Sequence, residues 1–178
     1  MPILPILKYP NQTLRRKAAP VREFDAELVA LVEDMAETMY AAPGVGLAAP
    51  QIGVSKQILV YDPATAEEKG NYTALINPRI VEAEGEEIGE EGCLSVRELC
   101  AEVKRAYRIV VEARDLEGSR LNFEAEGWPA RVLQHEIDHL NGILFIDHLS
   151  SLKRTLYKKK LKKIIEAEKQ GDIGKSAG

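Results

Sequence analysis

Residues Gln134 to Gly142 read QHEIDHLNG, a stretch that contains the pattern HExxH. On a helix the imidazoles of His135 and His139 lie one turn apart on one face, where both can bind a single metal ion, and Glu136 lies beside them next to a metal-bound water. Hydrolysis is the chemistry this pattern points to. The bland alternative is a charged helix whose histidines merely sit at helical spacing. A third ligand elsewhere in the chain decides between the two.

The helix is expected to begin near Trp128, with Pro129 in its first turn, and to end at Asn141 and Gly142. At about 100° per residue, Trp128, Val132, His135 and His139 fall on one side and Ala130, Leu133, Ile137 and Leu140 on the other. Only Arg131, Gln134 and Asp138 form a polar strip. A helix that is apolar or functional on two faces belongs at the centre of a fold, with sheets packed around it.

Upstream, Lys56 to Ala125 reads mainly as strand. The runs QILVYD, YTALINPRIVEA, LCAEVKR and YRIVVEARD are short and rich in Val, Ile and Tyr, and DLEGS (Asp115 to Ser119) is a hairpin turn leading into RLNFEAEG. Connections this short cannot make parallel crossovers, so the sheets should be mostly antiparallel. The acidic segment Glu84 to Glu91 is expected to interrupt them. A further helix starts at Asp25, with Leu28, Leu31, Val32, Met35 and Met39 at three- and four-residue steps, and is stopped by Pro43 and Gly44. A short helical turn is expected around Thr13 to Lys17. The segment Gly44 to Gly53, GVGLAAPQIG, is read either as an ordinary loop or as one whose backbone approaches something closely, with Gln51 as its one functional polar side chain. The expected class is α+β: mostly antiparallel sheets packed around a central HExxH helix, plus a C-terminal helix.

At 178 residues the chain is long enough for one well-buried core. Residues 1–150 are expected to form a catalytic domain, with 151–178 as an appendage: a basic helix and a frayed tail, GDIGKSAG. No apolar run approaches the roughly 20 residues of a membrane span, and MPILPILKYP is too short and proline-rich for a signal peptide, so a cytoplasmic location without a membrane partner is expected. Only Cys93 and Cys100 are present, which reads as free thiols rather than a disulfide scaffold. Charge is uneven. Through Ser150 there are 15 basic and 25 acidic residues, and from Ser151 onward 9 and 3. The tail helix, with Leu152, Leu156, Leu161, Ile164 and Ile165 on an apolar stripe, reads either as a solvated helix packed on the body or as an RNA-facing surface.

Hydrolytic zinc sites usually have three protein ligands and one open position. A protease pattern that extends HExxH to a third histidine fails here, because Phe145 stands where that histidine would be. The chain also lacks the downstream glutamate of another protease class, so a metallopeptidase is disfavoured. His148, in FIDHLS, lies beyond the helix and reads as a surface histidine. Cys93, in EEGCLS, is the stronger candidate: its thiolate could complete a His2Cys set, although alone it would read as a small buried hydrophobe.

GVGLAAPQIG, EGCLS and QHEIDH, in this order and at these separations, closely resemble the three signature motifs of the peptide deformylase family, and the likeness extends to the opening ILKYPNQTLRRKAAPV. The family removes the formyl group from the N-terminal formylmethionine of new bacterial polypeptides. The resemblance implies that Cys93, His135 and His139 bind one divalent metal ion per chain, ferrous iron (Fe2+) first, with zinc, nickel or cobalt accepted. It implies hydrolysis by metal-bound hydroxide with Glu136 as general base and acid, and an oxyanion held by the Gln51 amide and the Leu94 backbone N–H. N-formylmethionyl peptides would pair along the backbone near Gly46 and Gly92. The methionine would enter an apolar pocket for which Val45, Trp128 and Val132 are the candidates. The basic helix would dock a monomeric enzyme on the ribosome.

Two positions depart from the pattern: Arg97, where many members have proline, and Cys100, where some have arginine. Cys100 is read as structural. Arg105 and Asp138 are read as an ordinary salt bridge, with a place behind the metal ligands as the alternative. A noncatalytic ribosome-binding relative is the remaining competitor, opposed by the intact Gln51, Cys93, His135, Glu136 and His139.

Overall fold

The computed structural model describes residues 3–65 and 67–176. A 3₁₀ turn at Gln12–Arg15 precedes α1 (Ala26–Ala41), β1 (Gly46–Ala48) and a second 3₁₀ turn at Ala49–Ile52. Then come β2 (Ile58–Tyr61), β3 (Thr73–Glu84), β4 (Glu87–Cys93), β5 (Val96–Arg105), β6 (Arg108–Arg114) and β7 (Arg120–Glu126). The helix α2 (Trp128–Leu140), a 3₁₀ turn at Phe145–His148 and α3 (Ser151–Ser176) complete the order. Strands β1-β2-β3-β6-β7 form one sheet and β4-β5 another, and every pairing is antiparallel. The α+β expectation therefore stands.

Alternation along the larger sheet sends side chains to two faces, and a helix covers each. On one face Leu59, Leu75, Ile109 and Val111 meet Ala130, Leu133, Ile137 and Leu140 of α2. On the other, Ile58, Val60 and Ile76 meet Leu28, Val32, Met35 and Met39 of α1, which Asp25 caps by accepting from the Leu28 N–H at 3.0 Å. The apolar side of α2 thus lies on the sheet, and its other side is free to face β4 and β5.

Two expectations need correction. Glu84 to Glu91 does not break the strands, because Glu87–Cys93 is β4, paired with β5 from Glu87↔Arg105 onward. Within GVGLAAPQIG, Gly46–Ala48 pairs with β2 at the sheet edge and Pro50 opens the following turn, and the reading of a backbone that approaches something closely holds, because a β-carbon at Gly46 would lie 2.8 Å from Glu136 Cγ. Arg131 and Gln134, from the polar strip of α2, lie inside the fold. Both are buried, and the Gln134 side chain donates to the Ala106 carbonyl and accepts from its N–H at 2.9 and 3.0 Å.

The last correction concerns α3. Leu161 is fully buried against Val96, Ala101 and Val103, but Leu152 and Leu156 are 72% and 48% exposed. The helix meets the body through its middle turns: the Tyr157 hydroxyl donates to the Cys100 carbonyl at 2.7 Å, and Arg97 pairs with Glu168 at 2.7 Å. It continues to Ser176 instead of fraying at Gly171, and the rest of the expected tail, residues 177–178, lies outside the described residues. Among the described residues no helix is long and apolar enough to cross a membrane.

Candidate metal centre

One turn of α2 sets the rings of His135 and His139 edge to face, with centroids 5.0 Å apart. Cys93 closes β4, and its Sγ lies 3.2 Å from His139 Nε2. One ligand atom from each of Cys93, His135 and His139 falls within 4.8 Å of the others, so the three could hold one ion. His148 stands outside this group, bonded to Asp138 at 2.7 Å, which agrees with its reading as a surface histidine.

The orientation of His135 comes from Glu91, which the sequence reading missed. His135 Nδ1 lies 2.9 Å from Glu91 Oε1, and because an ionised carboxylate only accepts, a proton is assigned to Nδ1, which makes Nε2 the nitrogen that could bind an ion. Burial pushes the Glu91 carboxyl up, but hydrogen bonds from Arg105 and His135 and the charge of Arg105 outweigh it and hold Glu91 at about 2. Arg105 also donates to Asp138 at 2.6 Å. That pair is therefore not an isolated salt bridge, since it continues through Glu91 to His135, the alternative place behind the candidate metal donors. The signal for Glu91 was its place directly before GC in EEGCLS, hidden within an acidic run.

Burial lowers His139 well below the ordinary imidazole value, and the charge of His135 adds to this. Burial acts the same way on His135, but hydrogen bonds to Cys93 and Glu91 prevail and hold it well above that value. Glu136 is 3% exposed, and burial, aided by the charges of Glu91 and Asp138, pushes its carboxyl up to about 7. Its Oε2 and the Nδ1 of His139 are buried without a hydrogen-bond partner. Two imidazoles, a thiol and an unpartnered carboxylate oxygen at one spot fit a borderline divalent metal with a polar ligand beside it.

Gln51 is 1% exposed and fixed at both ends of its amide. Oε1 accepts from the Ala48 N–H at 2.9 Å, and Nε2 donates to Ser95 Oγ at 3.1 Å and faces Cys93 Sγ at 3.8 Å. Ser95, also missed, sends its own N–H to Cys93 Sγ at 3.4 Å. Gly46 is needed where it is, because a β-carbon there would sit 2.8 Å from Glu136 Cγ.

These groups open into a cavity of about 880 Å³. Val45, Gly46, Gly92, Leu94, Trp128 and Val132 line it together with Gln51, Cys93, His135 and Glu136, while His139 lies behind them. Trp128 is 48% exposed at the mouth. Cys100, read as structural, is exposed and lines the same cavity. Arg97 does not enter the cavity. It donates to the Tyr9 carbonyl at 2.8 Å and pairs with Glu168 of α3.

Fold and site together define the class: an α+β protein built around an HExxH helix whose two histidines meet a cysteine from a neighbouring hairpin in a group that could hold a metal ion. Known proteins narrow this class. The family model described as polypeptide deformylase matches residues 3–155. A peptide deformylase of Desulfotalea psychrophila is 56% identical over 164 residues, 92% of this chain and 97% of that protein. One of Thermodesulfovibrio yellowstonii is 48% identical over 162 residues, 91% and 98% of the two chains. Among solved structures, a peptide deformylase from Legionella pneumophila superposes with a TM-score of 0.86 at 46% identity, covering 94% of this chain and 98% of that one. One from Ehrlichia chaffeensis in complex with actinonin gives 0.85 at 41% identity, covering 92% and 98%. The chain belongs to the polypeptide deformylase family, metal-dependent hydrolases that act on formylmethionyl peptides.

Proposed function

We propose that this chain hydrolyses the formyl group from the N-terminal formylmethionine of nascent polypeptides, releasing formate, with one divalent ion held by Cys93, His135 and His139. The observation that carries this reading is the meeting of those three ligand atoms within 4.8 Å beside the buried carboxyl of Glu136. When bound, the metal supplies Lewis acidity, lowering the pKa of water toward neutrality and polarising the carbonyl. Ferrous iron is assigned on the family resemblance from among the borderline ions a His2Cys set suits.

Glu136 takes the proton of the attacking water and returns it to the departing amine. A carboxyl raised to about 7 is matched to both transfers near neutral pH. Gln51 Nε2, with its amide fixed by Ala48 and Ser95, and the Leu94 N–H donate to the oxyanion. The peptide backbone runs along Gly46 and Gly92, and the methionine side chain fills the space between Val45, Trp128 and Val132. Residues 1–150 act as the catalytic domain. The helix beyond is its appendage, docked by Leu161 and presenting exposed lysines that suit ribosomal RNA. The working protein is a cytoplasmic monomer in this reading.

The test is to incubate anaerobically prepared, iron-loaded protein with formyl-Met-Ala-Ser and measure formate and free amine. Stoichiometric formate supports deformylation, cleavage between amino acids would make the chain a peptidase, and inertness with metal bound would make it a binding module. Cys93→Ala should lower the metal content, and an unchanged content would rule out thiolate ligation.

A further inference from the structure

His135 Nδ1 meets Glu91, a carboxylate that is 6% exposed, so Nε2 is the ring nitrogen that could reach an ion. Glu91 Oε1 faces His135 Nδ1 at 2.9 Å and accepts from Arg105 Nη2 at 2.8 Å. Oε2 accepts from Arg105 Nε at 2.8 Å and from Arg131 Nη1 at 2.7 Å. An ionised carboxylate offers about four acceptor sites, so the set is full and Arg131 supplies the donor that completes it.

Arg131 also reaches past Glu91. The same guanidinium donates to the carbonyls of Val103 in β5, at 2.8 Å, and Glu87 in β4, at 2.7 Å. A β-carbon at Gly89 would lie 3.0 Å from its Nε and Cζ, so β4 is shaped around it. Arg131 stands four residues before His135 on α2, one turn away on the same face. One buried side chain therefore ties the helix that carries both imidazoles to the hairpin that carries Glu91 and Cys93.

We infer that Arg131 is a positioning residue for the metal centre: it fixes the Glu91 carboxylate against His135 Nδ1 and thereby keeps His135 Nε2 aimed at the ion. The inference rests on the metal-centre reading above. The lever is geometric. Without Arg131 the carboxylate keeps its charge partner Arg105 but loses the tether that sets its position between hairpin and helix. His135 can then turn away from the ion.

The test follows the transfer of Zn2+ from the loaded full-length protein to a chromogenic chelator. Arg131→Met should speed zinc loss by about 10- to 100-fold, the usual range for removing a partner behind a metal ligand. Arg131→Lys should fall between, because an ammonium can donate to Glu91 but has no planar fork to span both strands. Gly89→Ala presses on the guanidinium without removing it. It should also speed zinc loss, while the double variant Gly89→Ala/Arg131→Met releases zinc no faster than Arg131→Met alone, because both changes act through one side chain. Val32→Ala is the reference, since it opens the core on the other face of the larger sheet, away from Arg131 and Glu91. It should lower thermal stability and leave the zinc rate near wild type. Wild-type release from Arg131→Met would overturn the inference, as would release from Val32→Ala as fast as from Arg131→Met. Should Arg131→Met not fold, Arg131→Lys and Gly89→Ala carry the same comparison. A wild-type chain that holds no zinc would remove the metal centre itself, and this inference with it.

Discussion

A β-carbon at Gly46 would lie 2.8 Å from Cγ and 3.0 Å from Cδ of Glu136, so the edge strand β1 and the HExxH helix touch through a missing side chain. Gly46→Ala should therefore displace the Glu136 carboxyl while leaving the ligands alone. A misplacement on the order of 1 Å costs about 100-fold in rate. The expected result is a loss of that size in kcat/KM with metal content unchanged, read from steady-state kinetics and metal analysis on one preparation. Near-normal turnover would show that Gly46 does not set the position of Glu136.

Glu136→Gln keeps the shape and removes the proton acceptor. Turnover of a formyl peptide should drop about 10²- to 10⁴-fold with the metal retained. The same variant has a stability signature in the metal-free protein. The folded-state value of Glu136 is raised to about 7 from an ordinary 4.5, so its stabilising contribution is full below 4.5 and is lost as pH rises through 7. By urea unfolding, Glu136→Gln should match wild type near pH 4. Near pH 8 it should exceed wild type by on the order of 3 kcal/mol.

Glu91 runs the other way. Its folded-state value is held at about 2, so it stabilises the protein above the ordinary 4.5 and that contribution is lost as pH falls toward 2. Glu91→Gln leaves the buried Arg105 and Arg131 short of a counter-charge. The cost at pH 7 should be about 3–5 kcal/mol. Unfolding curves of variant and wild type should converge as pH drops from 4.5 toward 2, and a pH-independent gap would show that the charge of Glu91 is not what stabilises the fold.

The limits of the sequence reading lie in the same residues. The central helix was legible because Ala130, Leu133, Ile137 and Leu140 recur at helical spacing opposite His135 and His139. β4 was not, because its alternation is inverted: Ile88 is 63% exposed and Glu91 is buried. A hydrophobic pattern cannot reveal a strand whose inward residue is a carboxylate neutralised by Arg105, 14 positions away, and by Arg131, 40 positions away. On α3, periodicity identified which leucines share a face. It could not say where that face leaves the body, and Leu152 and Leu156 lie beyond that point. At the site, the meeting of Cys93, His135 and His139 was legible through the three motifs, whereas Ser95 and Arg131 act on neighbours brought near only by folding.

Lys158, Lys159, Lys162 and Lys163 are exposed on α3 around the buried Leu161, and the Arg97–Glu168 pair at 2.7 Å fastens the helix farther along. The basic face can therefore be reversed without undocking the helix, which a deletion of residues 151–178 would not allow, since Val96, Ala101 and Val103 would lose their cover. Changing these four lysines to glutamate should weaken binding to purified ribosomes. The slope of log affinity against log salt should shrink by roughly 0.7–0.9 for each phosphate that a lysine no longer neutralises. Hydrolysis of a short formyl peptide should stay at the wild-type rate, because none of the four lines the cavity. Sedimentation with ribosomes across a salt series, run beside the peptide assay, separates the two functions, and unchanged binding with an unchanged slope would leave the lysines with a solvating role alone.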